Sequence, residues 1–193
     1  AYNTYRATYD ETVEYICSEL ETAAAYLPLK ASIAQFERPT KGAAYALIAR
    51  LRLHAASPLF NGTSTARLYF GNWKRTYDKA YYINQNYSEE KWALAAAACK
   101  RVIDMNVYEL FTVSKDQNTP QLPAGVPTEN FPNGAGGIDP FKSYSHMFTG
   151  DEPFKNNNEV IWGRISEEVK GYTQQSFPQY MGCLLYTSPS PRD

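Results

Sequence analysis

The chain has 193 residues, a net charge of −1 and 44% hydrophobic residues. That length suits one domain or part of a larger one. The balanced charge excludes the basic footprint of a nucleic-acid binder, and no apolar run approaches the ~20 residues of a membrane-spanning helix. Tyrosine is abundant, and its flat apolar face with a polar tip serves both helix packing and wet binding surfaces. No initiator methionine, signal peptide or lipid-attachment motif stands at the start, which points to a trimmed precursor or a reading that opens mid-gene.

The first predicted helix covers residues 8–27. Thr8 and Glu11 fit a capping box, in which the glutamate reaches back to the cap amide. Val13, Ile16, Cys17, Leu20, Ala24 and Leu27 recur at helical spacing, and Pro28 ends the run. The second predicted helix, 40–57, has both ends written into the sequence. Thr40 is a good N-cap, and Pro58 drives the residue before it out of the helical region. Ala43, Leu47, Leu51 and Ala55, widened by Ala44 and Ile48, form its expected buried stripe. Gly42, Ala43, Ala46 and Ala49 are small enough for another helix to approach closely. Asn61-Gly62 then turns the chain.

Residues 63–72 read as a loop, and 73–86 as a weak helical pattern around Trp73, Tyr77, Ala80 and Tyr81. The third strong helix covers 88–105, with Ser88 as cap, Glu89 and Glu90 in its first turn, and Lys100 and Arg101 near its end. Its expected apolar face is Trp92, Ala95, Ala96, Cys99, Val102 and Ile103. Asn106 is expected in a left-handed conformation after it. Prolines and the glycine-rich Gly134–Gly137 run break 112–158 so often that no ordinary helix fits there. Phe131, Phe141, Tyr144 and Phe148 are expected to anchor this long loop. Val160, Ile161 and Trp162 suggest a short isolated strand, with Trp162 in the core.

Three stretches carry a resemblance. Arg38, Thr40, Lys41, Gly42, Ala43 and Ala44, followed by Ala56, Ser57, Pro58, Leu59, Phe60 and Asn61, resemble the core helix of the SusD/RagB family. The run from Trp92 to Asp104, followed by Tyr108-Glu109-Leu110, and the Asn158-Glu159-Val160-Ile161-Trp162 stretch resemble two further motifs of that family, in the same order. The resemblance implies a mainly α fold: an irregular TPR-like helix-turn-helix scaffold with long loops and a short extended segment, here truncated. The consensus tetratricopeptide spacing is absent. It divides the chain into a partial SusD-like domain at 1–182 and a tail at 183–193. That tail, Cys183 to Asp193, equals one translated frame of a transposon-type sequencing adapter, so it is expected to be non-native and to pack on nothing.

Catalytic and metal signatures do not emerge. Cys17 and Cys99 fall on predicted apolar faces and are expected as buried thiols. His54 and His146 have no placed partners, no C-x-x-C pair or H-E-x-x-H helix exists, and Gly134–Gly137 follows no strand and opens no helix. No cofactor, metal or catalytic residue is therefore assigned, and an enzyme ranks behind two binding readings. By resemblance, the protein is a cell-surface, lipid-anchored glycan-binding subunit that works with a SusC-like TonB-dependent transporter and holds oligosaccharide, or peptide, without changing it. The alternative is a TPR-like scaffold that binds peptide or protein segments. The candidate ligand contacts are Tyr172 and Tyr180, with Gln174 and Gln175 as hydroxyl partners, and Trp73, chosen as aromatics outside the helical stripes.

Overall fold

The computed structural model describes residues 5–32, 35–149 and 157–163, the side chains of residues 148 and 149 excepted. All elements below lie in the unit Ala1–Trp162; of the second unit, Gly163–Asp193, only Gly163 is among the described residues. The expected boundary at 182 and the tail after it fall outside them.

The fold is mainly α, as expected. Helix α1, Tyr9–Tyr26, starts on the anticipated capping box: Glu11 N–H donates to Thr8 Oγ1 at 3.2 Å, and Thr8 N–H donates to Glu11 Oε2 at 2.8 Å. Leu27, before Pro28, is extended, and the Pro28 carbonyl accepts the Lys41 N–H at 2.9 Å. That bond ties the exit of α1 to the start of α2, Lys41–Ala56. Thr40 caps α2 through the Ala43 N–H at 3.3 Å, and Ser57 is extended ahead of Pro58. Helix α4, Glu89–Ile103, is the third long helix, and both α1 and α4 pack on α2. Asp10 meets Lys91 and Glu21 meets Arg101, so α1 and α4 run parallel; Glu14 meets Arg52, near the far end of α2, so α2 runs against them. The result is an up–down–up framework. Its core is Val13, Cys17, Ile48 and Ala55, with Tyr9, Leu20, Tyr45, Leu51 and Ala98 packed against it.

The framework departs from the predicted faces in a consistent way. In α4 the inward residues are Lys91, Ala95, Ala98 and Val102. Ala95 and Val102 are on the predicted face, but the stripe is turned by less than one residue, so that Lys91 and Ala98 replace Trp92, Ala96, Cys99 and Ile103. Small Ala95 and Ala98 allow a close approach to α2, and Lys91 is drawn inward by Asp10 at 2.6 Å and the Phe60 carbonyl at 3.2 Å. Trp92, Cys99 and Ile103 are consequently exposed, Ile103 at 72%. In α2 the buried stripe centres on Ala44, Ile48 and Ala55, which leaves Leu47 49% exposed; in α1 it runs through Val13, Cys17 and Ala24, which leaves Ile16 outside.

Ser88 stands at the N-cap of α4 but its side chain makes no cap bond. Buried Asn61 does the ordering instead. Its Oδ1 accepts the Ser88 N–H at 2.9 Å, and its Nδ2 donates to the carbonyls of Ser88, at 2.9 Å, and Ala56, at 3.3 Å. Gly62 beside it adopts a φ of 59°, and a Cβ there would lie 2.1 Å from the Asn86 carbonyl carbon, so both residues of the turn are dictated by contact with the 86–88 backbone. Gly42 is approached not by a helix but by the Tyr108 ring: a Cβ would meet the phenolic oxygen at 2.0 Å. Asn106 is left-handed, φ 51°, as expected.

The segments between helices differ more. Residues 63–72 hold a short helix α3, Ser64–Phe70, capped by Thr63. Residues 73–86 form no helix; Lys74 bridges Tyr81 across a reverse turn in which Lys79 has a φ of 62°. The 112–158 stretch contains a two-residue antiparallel ladder, β1 Val113–Ser114 with β2 Ile138–Asp139, and then helix α5, Pro140–Thr149, which carries His146. Asp139 caps α5 by accepting the Lys142 N–H at 2.9 Å, and Pro140 takes the first helical position, where its missing N–H costs nothing. Of the expected anchors, Phe131, Phe141 and Tyr144 are exposed, and the side chain of Phe148 lies outside the described residues. Residues 160–162 form no strand. Asn157 closes a turn instead, with Oδ1 accepting the Glu159 N–H at 2.9 Å and its carbonyl the Val160 N–H at 3.2 Å. Trp162 is 58% exposed, held by one bond from Nε1 to the Glu37 carbonyl at 2.9 Å.

Candidate functional site

Of the five candidate ligand residues, Trp73 is described; Tyr172, Gln174, Gln175 and Tyr180 lie outside the described residues. Trp73 sits at the edge of an aromatic cleft of about 380 Å³. Four separate pieces of chain build it. Tyr9 comes from the first turn of α1, Phe60 from the turn after α2, Phe70 from the last turn of α3, and Trp73 and Tyr82 from the two arms of the reverse turn. The Tyr9 N–H donates to the Tyr82 carbonyl at 2.8 Å, and the Tyr82 N–H to the Trp73 carbonyl at 3.1 Å, so the backbone fixes the arms against α1.

The rings then follow one another around the cleft. Tyr9 stacks on Phe60 at 4.5 Å between centroids, Phe60 faces Phe70 at 6.2 Å, Phe70 faces Trp73 at 6.3 Å, and Trp73 tilts against Tyr82 at 4.8 Å. Offset and tilted arrangements at these separations are the favourable ones for quadrupolar rings. The Arg6 guanidinium closes one side, 4.6 Å from the Trp73 centroid and 5.5 Å from that of Tyr82. Trp73 keeps 41% of its surface exposed. It is therefore packed on one side and open on the other. Burial, and then the charge of Asp10, raise the Tyr9 phenol above its ordinary pKa, so its hydroxyl stays protonated and available as a donor at neutral pH.

A salt-bridge hub braces the cleft from behind. Arg75 Nη1 donates to Glu11 Oε2 at 2.7 Å, and Nη2 to Asp78 Oδ2 at 2.6 Å. The Arg75 hydrogen bonds hold both carboxyls below the usual range, while the two carboxylates push the arginine further towards its charged form. Glu11 thus belongs at once to the α1 capping box and to the reverse turn. Among the described residues, no group of histidine, cysteine and carboxylate side chains could hold a metal ion.

Sequence reasoning missed Arg6, Tyr9, Phe60, Phe70 and Tyr82. Tyr9 was absorbed into a helix start and Phe60 into the motif after α2. The available signal was the aromatic density of 69–82 next to an arginine two residues ahead of the capping box.

The sequence profile of a SusD-like family described as "Starch-binding associating with outer membrane" matches residues 1–53. Among solved structures, "BT4246" is similar at 25% identity and a TM-score of 0.60, over 85% of this chain and 28% of that one. Its form "selenomethionine BT4246" is similar at 27% identity and a TM-score of 0.58, with the same coverage. A search of curated proteins returned no match. The chain thus spans about 28% of the length of the solved structures it matches. The profile match covers α1 and most of α2, and the structural match extends over most of the chain: the chain is similar to SusD-like proteins in both sequence and fold.

Proposed function

We propose that this protein captures glycan at the cell surface, as a lipid-anchored outer-membrane component, and passes it chemically unchanged to a SusC-like TonB-dependent transporter. The family's description as starch-binding and outer-membrane-associated supports the class. The observation that carries the reading to particular residues is the open aromatic cleft. Sugar rings present apolar C–H faces and a rim of hydroxyls. An exposed indole held rigid by its neighbours offers a face to the first, and Tyr and Arg offer donors to the second. Rings positioned by packing pay little ordering entropy on binding, which favours a preformed platform.

Tyr172 and Tyr180, with Gln174 and Gln175, remain proposed as further contacts. Binding of an oligosaccharide panel to the complete protein, with the free ligand analysed afterwards for cleavage, tests the reading. We expect binding without product. Trp73→Ala should weaken it about three- to tenfold, the order of one lost stacking contact. Tyr172→Ala and Tyr180→Ala should act similarly. Failure of every glycan to bind, or release of shortened products, would sink the proposal; binding of peptides alone would move the ligand class to peptide.

A further inference from the structure

The charge around the aromatic cleft is unbalanced in a way that names a ligand chemistry. Arg75, behind the cleft, spends its guanidinium group on the carboxylates of Glu11 and Asp78. Arg6 does not. No carboxylate among the described residues pairs with it, and its contacts are the faces of Trp73 and Tyr82. The two acids nearest in sequence are already engaged, Asp10 by Lys91 at 2.6 Å and Glu11 by Arg75 at 2.7 Å. The cleft lining contains no acidic side chain at all. A cation is thus held at the mouth of an apolar, ring-lined cavity, with its in-plane donors unspent by any carboxylate among the described residues.

We propose that the cleft binds an anionic sugar, a glycan unit carrying a carboxylate or a sulfate group, with its ring against Trp73 and its charged group on Arg6. This rests on the glycan-capture reading and adds to it the charge class of the ligand. The geometry suits the division of labour. A guanidinium lying over aromatic rings keeps its edge free, and that edge presents paired N–H donors in the fork that matches two oxygens of one anion. The low-dielectric ring wall on one side strengthens the pairing relative to open water. A neutral sugar offers the same donors only hydroxyl oxygens, which make weaker bonds than a paired, charge-assisted contact. The cavity, about 380 Å³, is of the size that receives small-ligand groups.

The test uses the complete protein and three probes: a uronic-acid oligosaccharide, its carboxyl-reduced neutral counterpart, and a sulfated oligosaccharide of similar length. Calorimetry should show at least tenfold tighter binding of one anionic probe than of the neutral one, with affinity falling as salt rises. Which anionic probe wins identifies the carboxylate or the sulfate as the charged group. Arg6→Gln should abolish that preference and the salt dependence, weakening anionic binding at least tenfold more than neutral binding, and Arg6→Lys should restore part of it. Arg6 is exposed, so unchanged melting temperatures should accompany both variants. Equal binding of neutral and anionic probes, or an anionic preference that survives Arg6→Gln, overturns this inference and leaves glycan capture standing. Failure of all glycans to bind removes both.

Discussion

The framework of α1, α2 and α4 and the aromatic segment between α2 and α4 are held by opposite means. The framework is assembled from small residues. Ala44, Ala49, Ala55 and Ala95 are buried, Gly42 admits a tyrosine ring, and Asn61 bonds two chain segments at once. Little there is larger than it needs to be, and little can be enlarged. The aromatic segment is built from large rings that touch at 4.5 to 6.3 Å and are only partly covered. It is attached to the framework by a backbone bond from Tyr9 to Tyr82 and by the Arg75–Glu11 ion pair. A binding surface can vary in such a segment with little effect on the fold, because apart from Tyr9, which also packs against the core, the rings that shape it are not those that hold the helices together.

Changes at the centre of the framework should therefore cost most. Ile48 lies in the four-residue core and is 6% exposed. Ile48→Ala should destabilise by about 2–5 kcal/mol, the range for emptying a packed site. Leu47→Ala, one residue away on the open side, should cost under about 0.5 kcal/mol. Chemical denaturation of the two variants sharpens the comparison, and similar costs would show that the buried stripe of α2 is wrongly placed.

Asn61→Ala comes next. It removes three hydrogen bonds and leaves the part-buried Ser88 N–H and C=O, as well as the buried Ala56 carbonyl, short of partners. Unsatisfied buried groups cost about 1–3 kcal/mol, so a loss of about 2–3 kcal/mol is expected. A loss confined to hydrogen-exchange protection at the start of α4, with unchanged global stability, would mean that Asn61 orders one helix end rather than the framework.

The link between the two regions should depend on pH. Arg75 lowers the folded pKa values of Glu11 and Asp78. A depressed carboxylate pKa contributes stability above its unfolded value, near 4, and that contribution is lost as pH falls through the folded value. Arg75→Gln should be less stable than the parent at pH 7, and the gap should close as pH drops below about 4. Denaturant midpoints across pH check this; a gap of constant size would show that Arg75 acts through packing alone.

How much of this was legible follows the same division. Thr8, Glu11, Thr40, Pro28 and Pro58 act within one or two turns of their own positions, so the ends of α1 and α2 could be read directly. The face of α4 could not. Two apolar stripes with the same spacing lie side by side on it, and the choice was made by a distant carboxylate, Asp10, pulling Lys91 inward. The cap of α5 was present as Asp139-Pro140 but was hidden by counting the proline as a breaker when it was a starter. The strand expected at 160–162 failed for a local reason, the Asn157 turn, which periodicity does not register. The cleft was the least legible because its rings come from four pieces of chain, and only Trp73 had been singled out.

The smallest predicted effect concerns Ser88, and its smallness is the point. By sequence, Ser88 ahead of Glu89 and Glu90 is as good a cap as Thr40 ahead of its helix. In the structure, Thr40 Oγ1 accepts the Ala43 N–H at 3.3 Å, whereas the Ser88 side chain accepts nothing from the first turn of α4. The order at that helix start comes from Asn61, which binds the backbone of Ser88 and is indifferent to its side chain. A lost N-cap costs about 1 kcal/mol, so Thr40→Ala should fall near that value and Ser88→Ala within about 0.5 kcal/mol of the parent. Adding Ser88→Ala to Asn61→Ala should then cost no more than Asn61→Ala alone. If the double variant is clearly worse, the hydroxyl caps α4 whenever the asparagine is gone, and the two residues are alternative solutions to one unsatisfied helix end.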